Sequence, residues 1–262
     1  MKYGFLGCGN MGGAIAKALS KSTKDILLAS RTTESAANLA KALGCASGTN
    51  EAVAETCDII FLAVKPQMME AVLTALVPTL QRRKPMLVSM AAGLTVEKIE
   101  AMAGGDIAVV RIMPNTPVSV GKGMTTYCHN SLVSEETMAQ LLSDLRQAGR
   151  FDAIEEKLMD AATVASGCSP AYTYMFIEAM ADAAVACGLP RAKALEYAAS
   201  AVAGAAQLLL ESGSHPGALK DAVCSPGGST IAGVRALEEN GFRGAVMDAI
   251  TEAYKRSVEL GK

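Results

Sequence analysis

Over roughly the first 150 residues, short apolar runs alternate with segments of helical periodicity. The apolar runs are nearly continuous, a pattern typical of parallel strands that are buried on both faces. Regular alternation of such strands with helices favours the α/β class with a doubly wound sheet. The predicted strands are residues 2–6, 26–30, 58–64, 86–90 and 107–112, and the predicted helices are 10–19, 33–43, 95–103 and one that begins at Pro66.

From about residue 151 the pattern changes to Ala-rich helical stretches without strand-like runs. Helix breakers such as His215-Pro216 and Gly227-Gly228 predict where these helices end and begin. We therefore predict a dinucleotide-binding sheet domain over residues 1–153 and an all-helical domain over residues 154–262. The predicted helices of the second domain are residues 155–164, 170–187, 190–211, 216–223, 229–240 and 243–260.

Composition and charge narrow the class of protein. Half of the 262 residues are hydrophobic, and a net charge of −2 gives no reason to expect nucleic acid or an anionic membrane as a partner. The sequence has neither a signal peptide nor an apolar run long enough to span a bilayer, so we expect a cytoplasmic protein. Seven scattered cysteines without a C-x-x-C pair, and only two histidines, predict neither disulfides nor a metal site.

A glycine pattern follows the first predicted strand. Residues 7–12 read Gly-Cys-Gly-Asn-Met-Gly, which matches G-x-G-x-x-G at the start of a helix. Glycines permit close approach of the backbone to a pyrophosphate, and the helix start supplies free N–H groups and a positive dipole. The alternative is a packed glycine turn that binds nothing. The predicted dinucleotide contacts here are Leu6, Gly7, Cys8, Gly9, Asn10, Met11 and Gly12.

The end of the second predicted strand indicates which dinucleotide is bound. NAD-preferring folds usually place an acidic residue about 20 residues after the glycines, to hold the ribose hydroxyls. This chain has Ser30, Arg31 and Thr32 there instead. A guanidinium beside hydroxyl groups suits a 2′-phosphate, so we predict NADPH as the preferred cofactor and NADH as a weaker one. An ordinary exposed arginine is the alternative for Arg31.

Five further segments resemble, in order and over nearly the whole length, the Δ1-pyrroline-5-carboxylate reductase family, which makes proline. All five together are specific, although any one of them could arise by chance. The resemblance implies an N-terminal Rossmann sheet domain followed by a C-terminal helical dimerisation domain. The segments are residues 63–66 (AVKP), 91–93 (AAG), 111–117 (RIMPNTP), 166–172 (SGCSPAY) and 225–230 (SPGGST).

The resemblance also implies cofactor contacts beyond the glycine pattern. Asn50 would contact a ribose, with a helix N-cap as a second interpretation, and Lys65 could instead be a solvated side chain. Asn115 and Thr116, between two prolines, would form either a wall of the cleft or a purely structural turn. The implied cofactor-binding residues are Asn50, Ala63, Val64, Lys65, Pro66, Met90, Ala91 and Ala92.

The substrate site implied by the resemblance is the glycine-rich segment before residue 231. Gly227 and Gly228 followed by two hydroxyl residues at a helix start suit a carboxylate, because free N–H groups of the first turn point at the anion. Thr230 would be the catalytic residue, with its hydroxyl at the ring nitrogen. A helix cap with nothing bound is the alternative. The implied substrate-binding residues are Glu156, Gly227, Gly228, Ser229 and Thr230.

The reaction implied by the resemblance is the last step of proline biosynthesis, reduction of 1-pyrroline-5-carboxylate to L-proline. The expected partners are this small molecule and a second copy of the chain, in a homodimer or a higher ring of dimers. Glu156, taken alone, also fits a solvated helix-start glutamate. The chain departs from the common family pattern at Cys168-Ser169 and at Ser229-Thr230, where small residues replace other small ones, so the shape and polarity of the pocket are open.

Two other function classes compete with this reading. A β-hydroxyacid dehydrogenase shares the layout but uses a lysine on the first long helix of its second domain, and residues 158–190 contain no Lys or Arg. A catalytically silent NADP-binding regulator would have lost cleft residues that are intact here. An oxidoreductase therefore remains the favoured class.

Overall fold

The computed structural model describes residues 1–260. The chain forms two compact units. The first comprises Met1–Cys168 together with the chain from Ala253 onward, and the second comprises Ser169–Glu252. The boundary predicted at residues 153 and 154 stays a prediction, although the last strand of the sheet does end at Ala153.

The first unit contains one sheet and the helices that cover it. Its strands are β1 Tyr3–Leu6, β2 Ile26–Ala29, β3 Ala46–Ser47, β4 Ile59–Leu62, β5 Met86–Ser89, β6 Val109–Met113, β7 Gly123–His129 and β8 Gly149–Ala153. Its helices are α1 Asn10–Leu19, α2 Thr33–Leu43, α3 Asn50–Thr56, α4 Pro66–Arg83, α5 Val96–Met102, α6 Glu135–Asp144 and α7 Met159–Ala162, with 3₁₀ turns at Thr116–Val120, Arg146–Ala148 and Glu156–Leu158.

The eight strands lie in the order β3-β2-β1-β4-β5-β6-β7-β8. Strands β1 to β6 are parallel, β7 is antiparallel to β6, and β8 is parallel to β7. The central strand β1 pairs with β2 on one side and with β4 on the other, so the strand order reverses beside β1. This is the doubly wound arrangement that the sequence predicts, and it confirms the predicted fold class.

Both faces of the sheet are covered by a hydrophobic core. All residues of β1, β2, β4, β5 and β6 are buried, which explains their continuous apolar character. Phe5 and Phe61 stack at 4.5 Å on one face, while Leu6 and Leu62 face the other core. The carboxyl ends of these strands are therefore rigidly placed.

The second unit is helical. Its helices are α8 Ser169–Ala186, α9 Arg191–Ser212, α10 Pro216–Ala222, α11 Ser229–Glu239 and most of α12 Phe242–Leu260, whose end belongs to the first unit. Its buried core cluster consists of Ala181, Ala194 and Ala198, where α8 and α9 pack together. None of the helices in the described part of the chain is long and apolar enough to cross a membrane.

Several elements differ from the sequence-based predictions. Strands β3, β7 and β8 and helix α6 were not predicted. The helix predicted over residues 155–164 is instead a 3₁₀ turn, the short α7 and a π-helix over Thr163–Cys168, which runs directly into α8. A π-helical stretch inside a helix often marks a functional segment. Within residues 1–260, no group of three or more His, Cys, Asp or Glu side chains could hold a metal ion.

Candidate active site

One edge of the sheet carries most of the predicted cofactor-binding residues. The carboxyl ends of β2, β1, β4 and β5 are neighbours there, because Leu6 pairs with both Ala29 and Leu62, and Leu62 pairs with Ser89. The structure therefore brings together the four predicted segments that follow these strands, namely residues 30–32, 7–12, 63–66 and 90–92. Open α/β sheets bind their ligands at this edge.

The glycine loop between β1 and α1 packs against Ala63, the residue that follows β4. Gly7 has φ +107°, in the region that favours glycine, and a Cβ there would lie 2.6 Å from the Ala63 carbonyl oxygen. A Cβ on Gly12 would lie 2.7 Å from the Ala63 Cβ. Two of the three glycines are thus required by packing inside the chain itself.

Gly9 is different, and its environment suits a bound pyrophosphate. A Cβ built on Gly9 would meet no atom within 4 Å, so no packing inside the chain requires a glycine there. Gly9 is also the N-cap of α1, and no side chain caps the helix, whose first ladder bond runs from Gly13 N–H to the Gly9 carbonyl at 2.7 Å. The N–H groups of the first turn lack intrahelical acceptors. Their dipole and the open approach at Gly9 fit the phosphates of a dinucleotide.

The thiol inside the glycine loop is uncharged at neutral pH. Cys8 Sγ lies 3.4 Å from the Ala29 carbonyl oxygen, to which it donates. Burial, together with the nearby Cys45, raises the Cys8 pKa to about 11. Because the thiol stays protonated, it places no negative charge beside the phosphate site.

The segment after β2 keeps its polar groups available. Thr32 is the N-cap of α2 but makes no side-chain cap hydrogen bond. Arg31 is exposed, and among the described residues it forms no ion pair. Both side chains are free to bind an anion.

Two alternative interpretations are decided by hydrogen bonds. Asn50 is not the N-cap of α3: Thr49 is, and its hydroxyl accepts from the Ala52 N–H at 3.2 Å. Asn115 lies in the cleft-wall segment, but both ends of its amide are occupied. Its Nδ2 donates to the Ser166 carbonyl at 2.9 Å and its Oδ1 accepts from the Met124 N–H at 2.9 Å. Asn115 thus has a structural role in this fold.

Lys65 and Met90 border the same edge of the sheet. Lys65 is the exposed N-cap of α4, and Pro66 begins the helix as predicted. The Met90 N–H donates to the Leu62 carbonyl at 3.3 Å, which ties the loop after β5 to β4. Asn50 begins α3 after the edge strand β3, which is parallel to β2, so it follows a strand that ends at the same edge of the sheet.

A second uncapped helix start lies in the helical unit. α11 begins at Ser229 with Gly228 as its N-cap and no side-chain cap hydrogen bond. Gly227 has φ +68°, and the Gly228 N–H donates to the Ser225 carbonyl at 3.0 Å, so the loop turns tightly into the helix. Ser229 and Thr230 are exposed. The helix-cap interpretation of Thr230 is therefore wrong, and its hydroxyl remains available to a ligand.

The likeness to known proteins extends over the whole chain. The family model for pyrroline-5-carboxylate reductase dimerisation matches residues 156–260, and one described as NADP oxidoreductase, coenzyme F420-dependent, matches residues 2–93. The pyrroline-5-carboxylate reductase of Escherichia coli (strain K12) is 46% identical over 266 aligned positions, which cover 100% of this chain and 98% of that protein. The chain belongs to the pyrroline-5-carboxylate reductase family.

Solved structures of this family have the same fold. The Plasmodium falciparum pyrroline carboxylate reductase, solved with NADP bound, is 34% identical, with a TM-score of 0.89 over 100% of this chain and 98% of that one. The pyrroline-5-carboxylate reductase of Coxiella burnetii is 30% identical, with a TM-score of 0.91 over 100% and 98%. The resemblance stated from the five sequence segments is thereby confirmed.

Within this member of the reductase family, the half-buried Glu156 is held by two hydrogen bonds rather than free in solvent. Its Oε1 accepts from Arg111 Nη1 at 3.1 Å and from the Val96 N–H at 2.8 Å, the first N–H of α5. Arg111 is only 4% exposed and was not predicted as a functional residue, since its side chain is hidden in the apolar run of β6. A charged residue inside such a run, at the start of the family-like segment 111–117, is a sequence signal that could have singled it out.

Proposed function

We propose that this reductase-family chain reduces the cyclic imine 1-pyrroline-5-carboxylate to L-proline, with NADPH as the preferred hydride donor. The observation that carries the proposal is the uncapped start of α11 behind Gly227 and Gly228, because free helix N–H groups suit the carboxylate of this substrate. The likeness to reductases of that name over the full length supports the same reaction.

The cofactor would be held at the carboxyl edge of the sheet. The glycine loop and the first turn of α1 hold the pyrophosphate, and Ser30, Arg31 and Thr32 hold the phosphorylated ribose. The loops after β4 and β5 border the nicotinamide end. When bound, the dinucleotide supplies the hydride that adds to the imine carbon. The NADP in the Plasmodium relative, and the lack of an acidic residue after β2, both support NADPH over NADH.

The substrate would be held by the loop before α11. Backbone N–H groups at Ser229 and Thr230 bind the carboxylate, and the Thr230 hydroxyl contacts the ring nitrogen. The substrate arrives as its iminium, so the nitrogen already carries a proton and no strong general acid is required. As the hydride adds to carbon, the C=N π pair becomes the nitrogen lone pair of proline. Glu156 stays in the proposed substrate site, with one carboxylate oxygen fixed by Arg111.

The active form would be a homo-oligomer, and specifically a homodimer or a ring of dimers. The dimerisation family model covers residues 156–260, and large apolar side chains such as Tyr174, Met175 and Leu210 are exposed on the helical unit. Exposed apolar surface of this kind marks an interface. Light scattering on the purified chain measures the number of subunits, and a monomer at assay concentration would contradict the proposal.

The proposed compartment is the cytoplasm. All seven cysteines are free thiols, a state typical of reducing compartments. Fractionation of cells that express the tagged full chain tests this, and recovery of the chain outside the cytosolic fraction would overturn it.

A turnover assay tests the proposed reaction. The purified chain is mixed with NADPH and 1-pyrroline-5-carboxylate, and both NADPH oxidation and proline formation are followed. The expected result is one proline for each NADPH consumed. A regulator would bind NADPH without turnover, and a β-hydroxyacid dehydrogenase would oxidise a hydroxyacid with NADP instead. Either of those outcomes would contradict the assignment.

A further inference from the structure

A buried arginine in β6, Arg111, has so far been described only as the partner of Glu156. Arg111 pairs in the sheet with Ser89 of β5 and with Cys128 of β7, and its side chain is 4% exposed. Its Nε is buried and, within the described residues, has no hydrogen-bond partner. Burying a guanidinium is costly, and a buried ion pair is weak evidence of a gain in stability. The placement of Arg111 therefore calls for another explanation.

Arg111 contacts two carboxylates of the segment that leads out of the sheet. Its Nη1 donates to Glu156 Oε1 at 3.1 Å, and its Nη2 lies 3.9 Å from Asp160 Oδ1 in α7. These partners lie one helical turn apart, and the fork geometry of a guanidinium suits a pair of carboxylates. A single buried side chain thus holds both the 3₁₀ turn and α7 against β6.

Asp160 extends this contact to the end of the chain. Its Oδ1 accepts from the Ser257 hydroxyl of α12 at 3.1 Å. The chain leaves the first unit after Cys168 and returns to it at Ala253. Asp160 therefore lies on the outgoing passage, the segment that ends at Cys168, and Ser257 lies on the returning passage, the segment that begins at Ala253. Both passages are linked to the sheet through Arg111.

Asn115, four residues beyond Arg111, holds the outgoing passage at a second point. Its Nδ2 donates to the carbonyl of Ser166, within the π-helix that continues into α8. Asn115 is itself fixed by the Met124 N–H in β7. Residues 111–115 therefore hold the outgoing passage at its start and near its end.

We infer that Arg111 is a positioning residue for imine reduction, because it fixes to the sheet the carboxylate of Glu156, which belongs to the proposed substrate site, together with Asp160. The inference rests on the proposed function. Hydride transfer demands close alignment of donor and acceptor, and a displacement of about 1 Å costs up to about a hundredfold in rate. Arg111 touches neither reactant in this account and acts through Glu156 and Asp160.

Arg111→Met tests the inference, since it keeps much of the side-chain volume and removes the guanidinium. We expect kcat to fall about ten- to a hundredfold, with an increased primary isotope effect from NADPH deuterated at the transferred position. The dissociation constant of NADPH should be unchanged, because β1, β2, β4 and the glycine loop keep their contacts. Arg111→Lys should recover part of kcat, since an ammonium keeps the charge but holds two carboxylates less well.

The matched control is Arg82→Met. Arg82 forms an ion pair with Glu55, but both side chains are largely exposed and lie on α4 and α3. This variant should keep the kcat, the isotope effect and the NADPH affinity of the wild type. The control separates the loss of any arginine–carboxylate pair from the loss of this buried one.

A purely structural role predicts a different result. Arg111→Met would then melt at a lower temperature yet keep the wild-type kcat per NADPH-binding site, and that outcome would overturn the inference. If Arg111→Met does not fold, Asp160→Asn and Ser257→Ala decide instead, with an expected loss in kcat of about three- to tenfold at unchanged NADPH affinity. Wild-type kcat in both would overturn the inference. Lack of turnover in the wild-type chain would contradict the proposed function instead.

Discussion

The two helix starts proposed to bind the two reactants differ in how much of their own chain surrounds them. α1 starts against the sheet, where Gly7 and Gly12 are packed against Ala63. α11 starts behind Gly227, where a Cβ would meet nothing within 4 Å, and its first residues are exposed. The glycine loop before α1 is therefore held on two sides by Ala63, whereas Gly227 before α11 has no such neighbour among the described residues.

The cores of the two units differ in the same way. The sheet unit buries Phe5, Phe61 and the strands around them completely, whereas the buried cluster of the helical unit consists of three alanines. A helix with apolar residues on most of its surface must bury them against something else. From this comparison we expect the proposed cofactor site to need only its own chain, and the proposed substrate site to be completed by association.

The largest expected effect is that of Thr230→Val, at the exposed start of α11. The change removes the hydroxyl and keeps the shape, so kcat should fall about ten- to a thousandfold, because a hydrogen bond that strengthens during reduction acts on the transition state. Steady-state kinetics and NADPH titration check this, and NADPH affinity should stay unchanged. Since Thr230 does not cap α11, the melting temperature should also stay the same. Wild-type kcat would remove Thr230 from the catalytic role.

Gly9→Ala tests the proposed pyrophosphate site at the start of α1. Gly9 has φ −71° and open space at its Cβ, so the variant should fold with an unchanged melting temperature. The methyl group would occupy the approach of the pyrophosphate, and NADPH should bind about ten- to a hundredfold more weakly, which fluorescence titration measures. Gly13→Ala on the same helix is the control, since its Cβ would make ordinary contacts of 3.6 Å with Leu39 and 3.9 Å with the Cys8 carbonyl oxygen. Equal NADPH affinity in both variants would contradict the proposed site.

A smaller effect is expected from Arg31→Asp, which tests the choice of cofactor. The exchange replaces a positive charge with a negative one beside the proposed 2′-phosphate, so NADPH binding should weaken at least about tenfold, or about 1.4 kcal/mol. NADH binding should change little, and it serves as the internal control in the same titration. Equal losses for both dinucleotides would show that Arg31 does not contact the phosphate.

The smallest effect concerns the thiol of the glycine loop. Because burial raises the pKa of Cys8 to about 11 from an ordinary value of 9.0, its thiolate fraction at pH 8 is about a hundredfold below that of an ordinary thiol. Its folded-state pKa is the higher one, so protonation stabilises the fold and that contribution is lost as the pH rises from about 9 to 11. Mass spectrometry after alkylation at pH 8 should find Cys8 modified far more slowly than the exposed Cys187. Equal rates would contradict the pKa assignment.

Elements of the fold and the site were predictable from the sequence where the interactions that form them leave a signal within a few consecutive residues. Strands β1, β2, β4, β5 and β6 are apolar throughout and were predicted, because burial on both faces leaves a local signal. Strand β7 was not, since polar residues such as Thr125 and Thr126 interrupt its apolar pattern. The glycine loop was predicted because its chemistry lies within six consecutive residues.

Arg111 shows why the rest of the site could not be predicted in this way. Its partner Glu156 lies 45 residues away along the chain, and no local periodicity links the two. The sequence therefore indicated a glutamate near the substrate but not the arginine that fixes it. Likewise, the hydrogen bond of Asn115 to Ser166, 51 residues away, leaves no local signal in the sequence.

The comparison of the two units is tested most directly by measuring turnover and association on the same diluted samples. The specific activity of the chain with NADPH and 1-pyrroline-5-carboxylate is recorded while sedimentation velocity gives the fraction of monomer. The account predicts that activity per subunit falls in step with the loss of the dimer, whereas NADPH still binds to the monomer with unchanged affinity. A monomer that keeps full activity would contradict it.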